Sequence, residues 1–201
     1  MEKYLARQPI FTSKRIVYGY ELLFRSGLEN FFSNTQLDFA AASTADNFFL
    51  FGAEHLTQGR LAFINCTRDF LVRDYGTLLP KDRVVLEILE TIRPDDEVVA
   101  ACRRLKNEGY RIALDDFQDS PEWRSLTSLA DVIKVDVLAT PPEEQKRLAK
   151  KFLSTGTRLL AEKVETYEVF GQTMAWATPI FKAIFLAGRR FFPVTTSPPT
   201  N

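Results

Sequence analysis

The segment RIALDDF ends an apolar run with two adjacent carboxylates, Asp115 and Asp116. Two like charges in a partly dry place repel each other unless a cation lies between them. Two interpretations of the pair are open. The first is a polar turn in which an aspartate caps the next helix, and the second is a metal site. The pair alone favours the turn, so the decision depends on the other polar residues of the chain.

Six apolar segments in succession carry a carboxylate, amide or ammonium group at or near their C-terminal end. In parallel α/β folds these ends meet at one face, which is where such folds place their reactive groups. We therefore expect the side chains to lie together, and the set is much more specific than any one member. The candidates are Glu21 and Arg25 in YELLFR, Asn65 in LAFIN, Glu87 and Glu90 in VVLEILE, Asp115 and Asp116 in RIALDDF, Lys134 and Asp136 in DVIKVD, and Glu162 and Glu165 in LLAEKVE.

These residue types point to metal chemistry. Oxygen ligands without histidine or cysteine suit Mg²⁺ or Mn²⁺. One ion could polarise a phosphoryl oxygen, and two ions about 3.5–4 Å apart could clamp an in-line displacement. A lysine beside the ions would hold the nucleophile or neutralise developing charge. Metal-assisted phosphodiester hydrolysis and enolisation by a lysine base both stay open on this chemistry.

The composition bounds the class of protein. The chain has 201 residues, of which 45% are hydrophobic, so a sizeable core is expected. The 26 basic and 26 acidic residues balance, which gives no sign of a nucleic-acid polymer or a membrane as partner. Because the sequence has no apolar run of membrane-spanning length and no signal peptide, we expect a cytoplasmic protein. Cys66 and Cys102 are then expected to be reduced core thiols, and His55, the only histidine, a structural residue.

Strand-like and helix-like segments alternate along the chain. Tyr4–Phe11 and Arg15–Phe24 are predicted to form a hairpin, and Leu37–Leu56 a helix. After Gly59, apolar strands alternate with helices, which predicts a parallel sheet covered by helices. Seven strands are complete by Lys163, and one more would close an eight-stranded barrel. An open doubly wound sheet is the alternative, but it has no support from a GxGxxG or P-loop motif. The later strands are LAFIN, VVLEIL, RIALDDF, DVIKVD and TRLLAEKVE, and the later helices lie near 69–75, 95–108, 122–129, 141–152 and 167–175.

The order of the motifs carries a family resemblance. ELLFR, FIN, LEILE, ALDDF, IKVD and LAEKVE, within residues 4–175, together resemble the EAL domain, the cyclic di-GMP phosphodiesterase barrel. The resemblance implies an α/β fold, a (β/α)8 TIM-type barrel whose first strand is antiparallel, with the domain at residues 1–175. It also implies hydrolysis of cyclic di-GMP to linear pGpG with one or two Mg²⁺ or Mn²⁺ ions.

The resemblance further implies roles for the polar residues. Lys134 would act on the attacking water, and Arg25 would contact the dinucleotide phosphate. Glu165 would also lie on the substrate side, while Glu90 and Asp136 would be supporting groups. The metal ligands would be Glu21, Asn65, Glu87, Asp115, Asp116 and Glu162, and the catalytic residues Lys134, Glu21, Asp116 and Glu162.

Departures from the family pattern leave a second function open. The loop at 118–121, usually rich in Gly and Thr, is QDSP, and in active members this loop couples the metal site to dimerisation. Lys163 places a cation near the ions. The alternative function is therefore a non-catalytic module that binds cyclic di-GMP or a protein partner, and a homodimer is a further possibility. A third, weaker alternative is an enolase-like barrel enzyme acting on a carboxylate substrate.

The motifs ARQPIF, GYELLFR and LAEKVET resemble the subgroup of bacterial signalling proteins in which an EAL domain precedes an HDOD domain. Residues 176–201 fit this pattern poorly, since the glutamine expected on the last strand is absent. A one-base shift of reading frame, with suitable codons, restores the missing Phe-Gln-Gly-Tyr-Phe motif. We therefore expect an aberrant tail from a frameshift, a degenerate or missing last strand and helix, an open barrel edge and no HDOD domain. The alternative is a divergent final strand, AIFLAG, before a Pro/Thr-rich tail.

Overall fold

The computed structural model describes residues 3–26, 56–174, 180–183 and 190–194. The predicted helix Leu37–Leu56 lies outside these residues except for its last position, and His55 lies outside them too. The strands are β1 (Lys3–Thr12), β2 (Val17–Ser26), β3 (Leu61–Cys66), β4 (Val84–Ile88), β5 (Arg111–Leu114), β6 (Val132–Asp136), β7 (Arg158–Val164), β8 (Ile180–Ala183) and β9 (Arg190–Val194).

The first eight strands close into a barrel. Strands β2 to β8 follow one another in parallel, and β1 pairs antiparallel with both β2 and β8. Because parallel neighbours need crossover connections, each strand from β4 to β7 is reached through a segment that contains a helix or a helical turn. The prediction of a (β/α)8 barrel with an antiparallel first strand is confirmed.

The helices follow the predicted pattern with shorter bounds. The helix at 96–107 begins after the cap Asp95, whose carboxylate accepts a hydrogen bond of 2.9 Å from the backbone N–H of Val98. It ends before Gly109, whose φ of +96° is the left-handed conformation that favours glycine. The predicted helix at 122–129 is reduced to a 3-10 turn and one turn of α-helix. The helices are α1 (Arg68–Val72), α2 (Asp96–Asn107), α3 (Arg124–Thr127), α4 (Pro142–Leu153) and α5 (Tyr167–Met174), with 3-10 turns at Tyr75–Leu78 and Pro121–Trp123.

The four-residue strand β8 completes the ring. Ile180 lies opposite Leu160 of β7, and Phe181 lies opposite Phe11 of β1. Phe181 is fully buried and stacks on Phe11 with ring centroids 5.8 Å apart. The expectation of an open barrel edge is therefore wrong: the last strand is short, but it is present and starts earlier in the chain than AIFLAG.

Strand β9 pairs antiparallel with the first half of β1, from Lys3 opposite Val194 to Arg7 opposite Arg190. Both β8 and β9 come from residues 176–201, so part of this segment belongs to the sheet. The frameshift itself stays a prediction.

An apolar layer fills the N-terminal half of the barrel interior. On β2 this layer has a glycine, Gly19, because a Cβ there would lie 2.8 Å from the carbonyl oxygen of Leu61 and 3.1 Å from Cε2 of Phe63. The ring of Phe63 thus takes the space that a side chain on β2 would need. The other members are Ile10, Phe63, Val85, Ala113, Val132, Leu160 and Ile180.

A second apolar layer lies between the sheet and the helices. It includes Leu86 of β4, Leu105 of α2 and Phe152 of α4. Cys66 and Cys102 are buried in this layer as free thiols, as predicted for core cysteines. Burial on both faces of the strands explains why they are apolar throughout except where the site begins.

Candidate metal and active site

The functional side chains form a layer directly above the apolar interior layer. Residues two apart on a strand point to the same face, so in the parallel strands β2 to β8 each interior residue of the apolar layer is followed, two positions later, by a side chain nearer the C-terminal mouth. Directly after β5 this position is Asp115, whose backbone N–H still donates to the carbonyl of Ile88 at 2.9 Å. The layer consists of Glu21, Asn65, Glu87, Asp115, Lys134, Glu162 and Lys182.

Lys134 lies at the centre of this layer and is fully buried. Its Nζ lies 2.7 Å from Oδ1 of Asp115 and 2.9 Å from Oε1 of Glu87. It also lies 3.3 Å from Oε1 of Glu162 and 4.0 Å from Oε2 of Glu21. One ammonium group therefore joins carboxylates from four different parts of the barrel.

The buried charges shift each other's titration. Burial alone would lower the pKa of Lys134, but the surrounding carboxylates raise it well above its ordinary value, so this side chain is an ammonium ion. Burial raises the pKa of Glu87 to about 8; Lys134 opposes that rise, whereas Glu21 adds to it. Neither oxygen of Glu87 has a hydrogen-bond donor within the described residues, so its contact with Lys134 is an ion pair without hydrogen-bond geometry. Glu87 is thus a buried carboxyl group whose charged form would be favoured by further positive charge beside it.

The sequence interpretation missed Lys182. Its ammonium group forms an ion pair with Glu21 and lies 2.5 Å from Oε1 of Glu162. Burial would lower the pKa of Lys182, but Glu21 and Glu162 raise it above its ordinary value. The sequence contains a signal for this residue, since Ile180 to Lys182 repeats the apolar-x-polar pattern of the other strands. The interpretation of 176–201 as an aberrant tail excluded it.

Among the described residues, acidic groups outnumber ammonium groups in this layer. Five carboxylates, called the acidic cluster below, lie at the mouth of the barrel, and within the described part of the chain Lys134 and Lys182 are the ammonium groups in ion-pair contact with them. The surplus charge favours binding of a further cation. The acidic cluster consists of Glu21, Glu87, Asp115, Asp116 and Glu162.

The oxygen atoms of the acidic cluster fit a hard divalent cation. One oxygen each from Asp115, Asp116 and Glu162 lie within 4.8 Å of one another. Oδ1 of Asn65 is buried and has no hydrogen-bond partner among the residues described, so it could serve as a neutral oxygen ligand. The backbone of Asp116 has a φ of 38°, and its N–H donates to Oδ1 of Asp115 at 3.0 Å. The left-handed backbone at Asp116 and this hydrogen bond hold the paired aspartates together at the end of RIALDDF, and the metal site there stays a prediction.

The outer candidates lie around the acidic cluster. Asp136 accepts hydrogen bonds from the backbone N–H groups of Leu138 and Ala139, at 2.8 and 3.0 Å, and forms an ion pair with Lys163. Burial alone would raise the pKa of Asp136, but these partners lower it below its ordinary value. Asp136 therefore supports the turn after β6, and Lys163 is engaged at the rim.

Three further predicted residues are more peripheral. Glu90 and Glu165 are exposed, directly after β4 and β7. A cavity of about 330 Å³ lined by Glu90, Asp116 and Asp136 opens beside the cluster. In β2 the backbone of Arg25 pairs with that of Tyr4 in β1, while the side chain of Arg25 falls outside the described part of the chain.

No helix among the described residues is both long and apolar enough to cross a membrane.

Sequence relatives match almost the whole chain. No protein-family model matches it. The cyclic di-GMP phosphodiesterase CdgJ of Vibrio cholerae is 35% identical over 189 residues, which cover 92% of this chain and 44% of CdgJ. The uncharacterized protein YuxH of Bacillus subtilis is 35% identical over 196 residues, which cover 94% of this chain and 48% of YuxH. The chain therefore spans about half the length of the curated relatives that it matches.

Solved structures share the fold. Klebsiella pneumoniae BlrP1, in a complex with calcium and cyclic di-GMP, matches with a TM-score of 0.76 at 22% identity, over 96% of this chain and 58% of that one. The EAL domain of Mycobacterium smegmatis DcpA matches with a TM-score of 0.72 at 19% identity, over 93% of this chain and 92% of that one. At these identities the solved structures establish the barrel fold alone. The chain is therefore similar in sequence to CdgJ and YuxH over about half of their length, and similar in fold to EAL-domain structures.

Proposed function

We propose that this chain hydrolyses cyclic di-GMP to linear pGpG with the help of a divalent cation. The observation that carries the proposal is the acidic cluster, in which one oxygen each of Asp115, Asp116 and Glu162 lie within 4.8 Å of one another. The name of the similar V. cholerae protein, a cyclic di-GMP phosphodiesterase, supports the substrate class. BlrP1 was crystallised with cyclic di-GMP and either calcium or manganese, which supports a divalent ion.

Mg²⁺ or Mn²⁺ is the proposed ion, because every candidate ligand is an oxygen atom. Asp115, Asp116 and Glu162 would hold one ion, since their oxygens lie within one ion's reach. Asn65, Glu87 and Glu21 would complete its shell or hold a second ion. Glu87 and Glu162 are almost completely buried, which strengthens their interaction with a cation.

The chain's own residues would position and neutralise the reacting groups. A bound divalent ion supplies polarisation of the scissile phosphoryl group. Lys134, as an ammonium ion, would donate a hydrogen bond to the oxygen of the attacking water and so orient it, and it would offer positive charge as negative charge develops. Arg25 would contact a phosphate of the dinucleotide, and Glu165 would lie on the substrate side. Asp136 and Glu90 would support the turns at the mouth.

A second candidate function is a module that binds cyclic di-GMP or a protein partner without turnover. One specific observation favours it: the ammonium group of Lys182 already lies against Glu21 and Glu162. We further propose a role in bacterial cytoplasmic signalling, as in proteins with an EAL and an HDOD domain, with residues 1–175 as the barrel domain. A homodimer or a signalling partner would then carry the output.

The test is chromatography of cyclic di-GMP incubated with the purified chain and Mn²⁺ or Mg²⁺. We expect linear pGpG from the wild type and none from Asp115→Asn or Glu21→Ala. Asp82→Asn, which changes an exposed carboxylate before β4, is the matched control and should retain activity. A folded wild type that forms no pGpG would overturn the hydrolase proposal. Calorimetry with cyclic di-GMP would then test the binding module.

A further inference from the structure

The ammonium group of Lys182 contacts Glu21 and Glu162, two of the carboxylates that would hold a metal ion. We infer that Lys182 competes with the divalent cation for Glu21 and Glu162, so that it sets the metal affinity of the site. This inference rests on the proposed function, and it names what limits metal binding there.

The competition follows from shared carboxylate groups. Oε1 of Glu162 lies 2.5 Å from Nζ of Lys182, and Glu162 is also one of the three residues whose oxygens lie within 4.8 Å of one another. Glu21 forms its ion pair with Lys182 through Oε2, the same oxygen that lies 4.0 Å from Lys134. An ion bound by Glu162 would therefore lie close to a positive charge.

Burial makes that proximity costly. Glu21 is 4% exposed and Glu162 3%, so water and salt screen little of the repulsion between an ammonium group and a divalent ion. Metal binding must either move Lys182 away from the carboxylates or occur against its charge. Removal of the positive charge of Lys182 removes this penalty and leaves Glu21 and Glu162 with one ammonium group fewer beside them.

The position of Lys182 distinguishes it from the other lysines of the mouth. Lys134 lies on β6, has a side chain that is 1% exposed, and contacts four carboxylates, so it is held in place inside the barrel. Lys163 has a side chain that is 48% exposed and pairs with Asp136, outside the acidic cluster. Lys182 lies on the four-residue strand β8 with a side chain that is 13% exposed, so it has both direct contact and a route toward solvent.

Mn²⁺ binding to the full chain, measured by titration calorimetry, tests the inference without any turnover. Lys182→Met keeps the length of the side chain and removes its charge. We expect it to bind Mn²⁺ at least about tenfold more tightly than the wild type, since the buried repulsion is lost. Lys163→Met removes one charge from the same rim, and its screened position predicts a change below about threefold. Lys182→Gln, whose amide still donates to the carboxylates, is a second variant in case the methionine variant does not fold.

The outcomes separate this inference from the proposed function. Tighter Mn²⁺ binding by either Lys182 variant, but not by Lys163→Met, supports competition whether or not cyclic di-GMP is hydrolysed. Unchanged, weaker or undetectable Mn²⁺ binding by the Lys182 variants overturns it, even if the wild type is an active hydrolase. An equal gain of Mn²⁺ affinity in Lys163→Met also overturns the inference, because the loss of one positive charge anywhere at the mouth would then explain the effect.

Discussion

Nζ of Lys134 lies 2.7 Å from Oδ1 of Asp115, across two adjacent strands of the barrel and with no exposure to water for the lysine. This contact and the one with Glu87 make the ammonium group the internal counter-ion of the acidic cluster. We expect Lys134→Met to lower the free energy of unfolding by about 3–5 kcal/mol, because it leaves buried carboxylates without their partner. Urea unfolding in metal-free buffer measures this change.

An exposed lysine provides the control for that prediction. Lys146 lies on α4, has a side chain that is 62% exposed and pairs only locally with Glu143, three residues earlier. Lys146→Met should change the free energy of unfolding by less than about 0.5 kcal/mol. If both variants lose the same small amount, Lys134 is not the counter-ion that holds the cluster together.

Asp116 combines a proposed role as a metal ligand with an unusual backbone conformation. Its φ of 38° is a conformation that aspartate and asparagine tolerate better than most residues. Asp116→Asn therefore keeps the turn while it removes one negative charge. We expect the affinity for Mn²⁺ to fall by at least about tenfold, because one anionic ligand is lost. Titration calorimetry on the metal-free protein measures the affinity.

Asp74 is a matched control for this substitution, since it is also an aspartate with a positive φ, of 60°. It pairs with Arg104 of α2 and lies outside the acidic cluster. Asp74→Asn should therefore bind Mn²⁺ as the wild type does. Equal affinities for Asp116→Asn and the wild type would remove Asp116 from the set of ligands.

The strand-end acids were predictable because two regularities coincide. Strands of a parallel barrel alternate strictly, so Val85 and Glu87, or Leu160 and Glu162, must share a face. The carboxyl ends of such strands meet at one mouth. From these rules alone, the sequence indicates a shared site for Glu87, Glu162 and their counterparts, although it does not state which acid contacts which lysine.

The partners depend on distances that the sequence does not contain. The action of Lys134 on the attacking water stays a prediction. The structure pairs its ammonium group with Asp115, after the neighbouring strand β5, and Glu162, in the neighbouring strand β7, and these contacts depend on the stagger of the barrel. Lys182 was missed because β8 is only four residues long and its sequence departs from the family motif. A short strand carries a weak local pattern, and its place is fixed by pairing with β7 and β1.

Gly19 fixes the packing beneath the site. A Cβ at this position would lie 2.8 Å from the carbonyl oxygen of Leu61, a backbone atom that can move only if the strand moves with it. We expect Gly19→Ala to lower the free energy of unfolding by about 1–3 kcal/mol, because the strands must shift. At Gly171, in α5, an added methyl group would meet no atom within 4 Å, so Gly171→Ala should be neutral or slightly stabilising. Denaturant unfolding of both variants tests the prediction, which fails if Gly19→Ala is as stable as the wild type.

The loop after the paired aspartates is fastened to α4. Oδ2 of Asp119 lies 2.7 Å from Nη2 of Arg147, and Oδ1 lies 2.6 Å from Nζ of Lys151. Burial alone would raise the pKa of Asp119, but hydrogen bonds from these two cations lower it below its ordinary value of 3.8. A carboxyl group whose pKa falls on folding stabilises the fold at pH values above its unfolded pKa. That stability is lost as the pH falls through the folded pKa.

We therefore expect Asp119→Asn to reduce the melting temperature by about 2–4 °C at pH 7, where the wild-type carboxylate is fully charged. The difference from the wild type should persist down to about pH 4 and then shrink as the pH falls further, because Asp119 then takes up a proton. Melting curves from pH 7 to pH 3 measure this dependence. Glu143→Gln, which removes an 85% exposed carboxylate on the same helix, should show little difference at any pH. A constant difference in melting temperature between Asp119→Asn and the wild type across this pH range would contradict the prediction, because the contacts of Asp119 with Arg147 and Lys151 would then not depend on its charge.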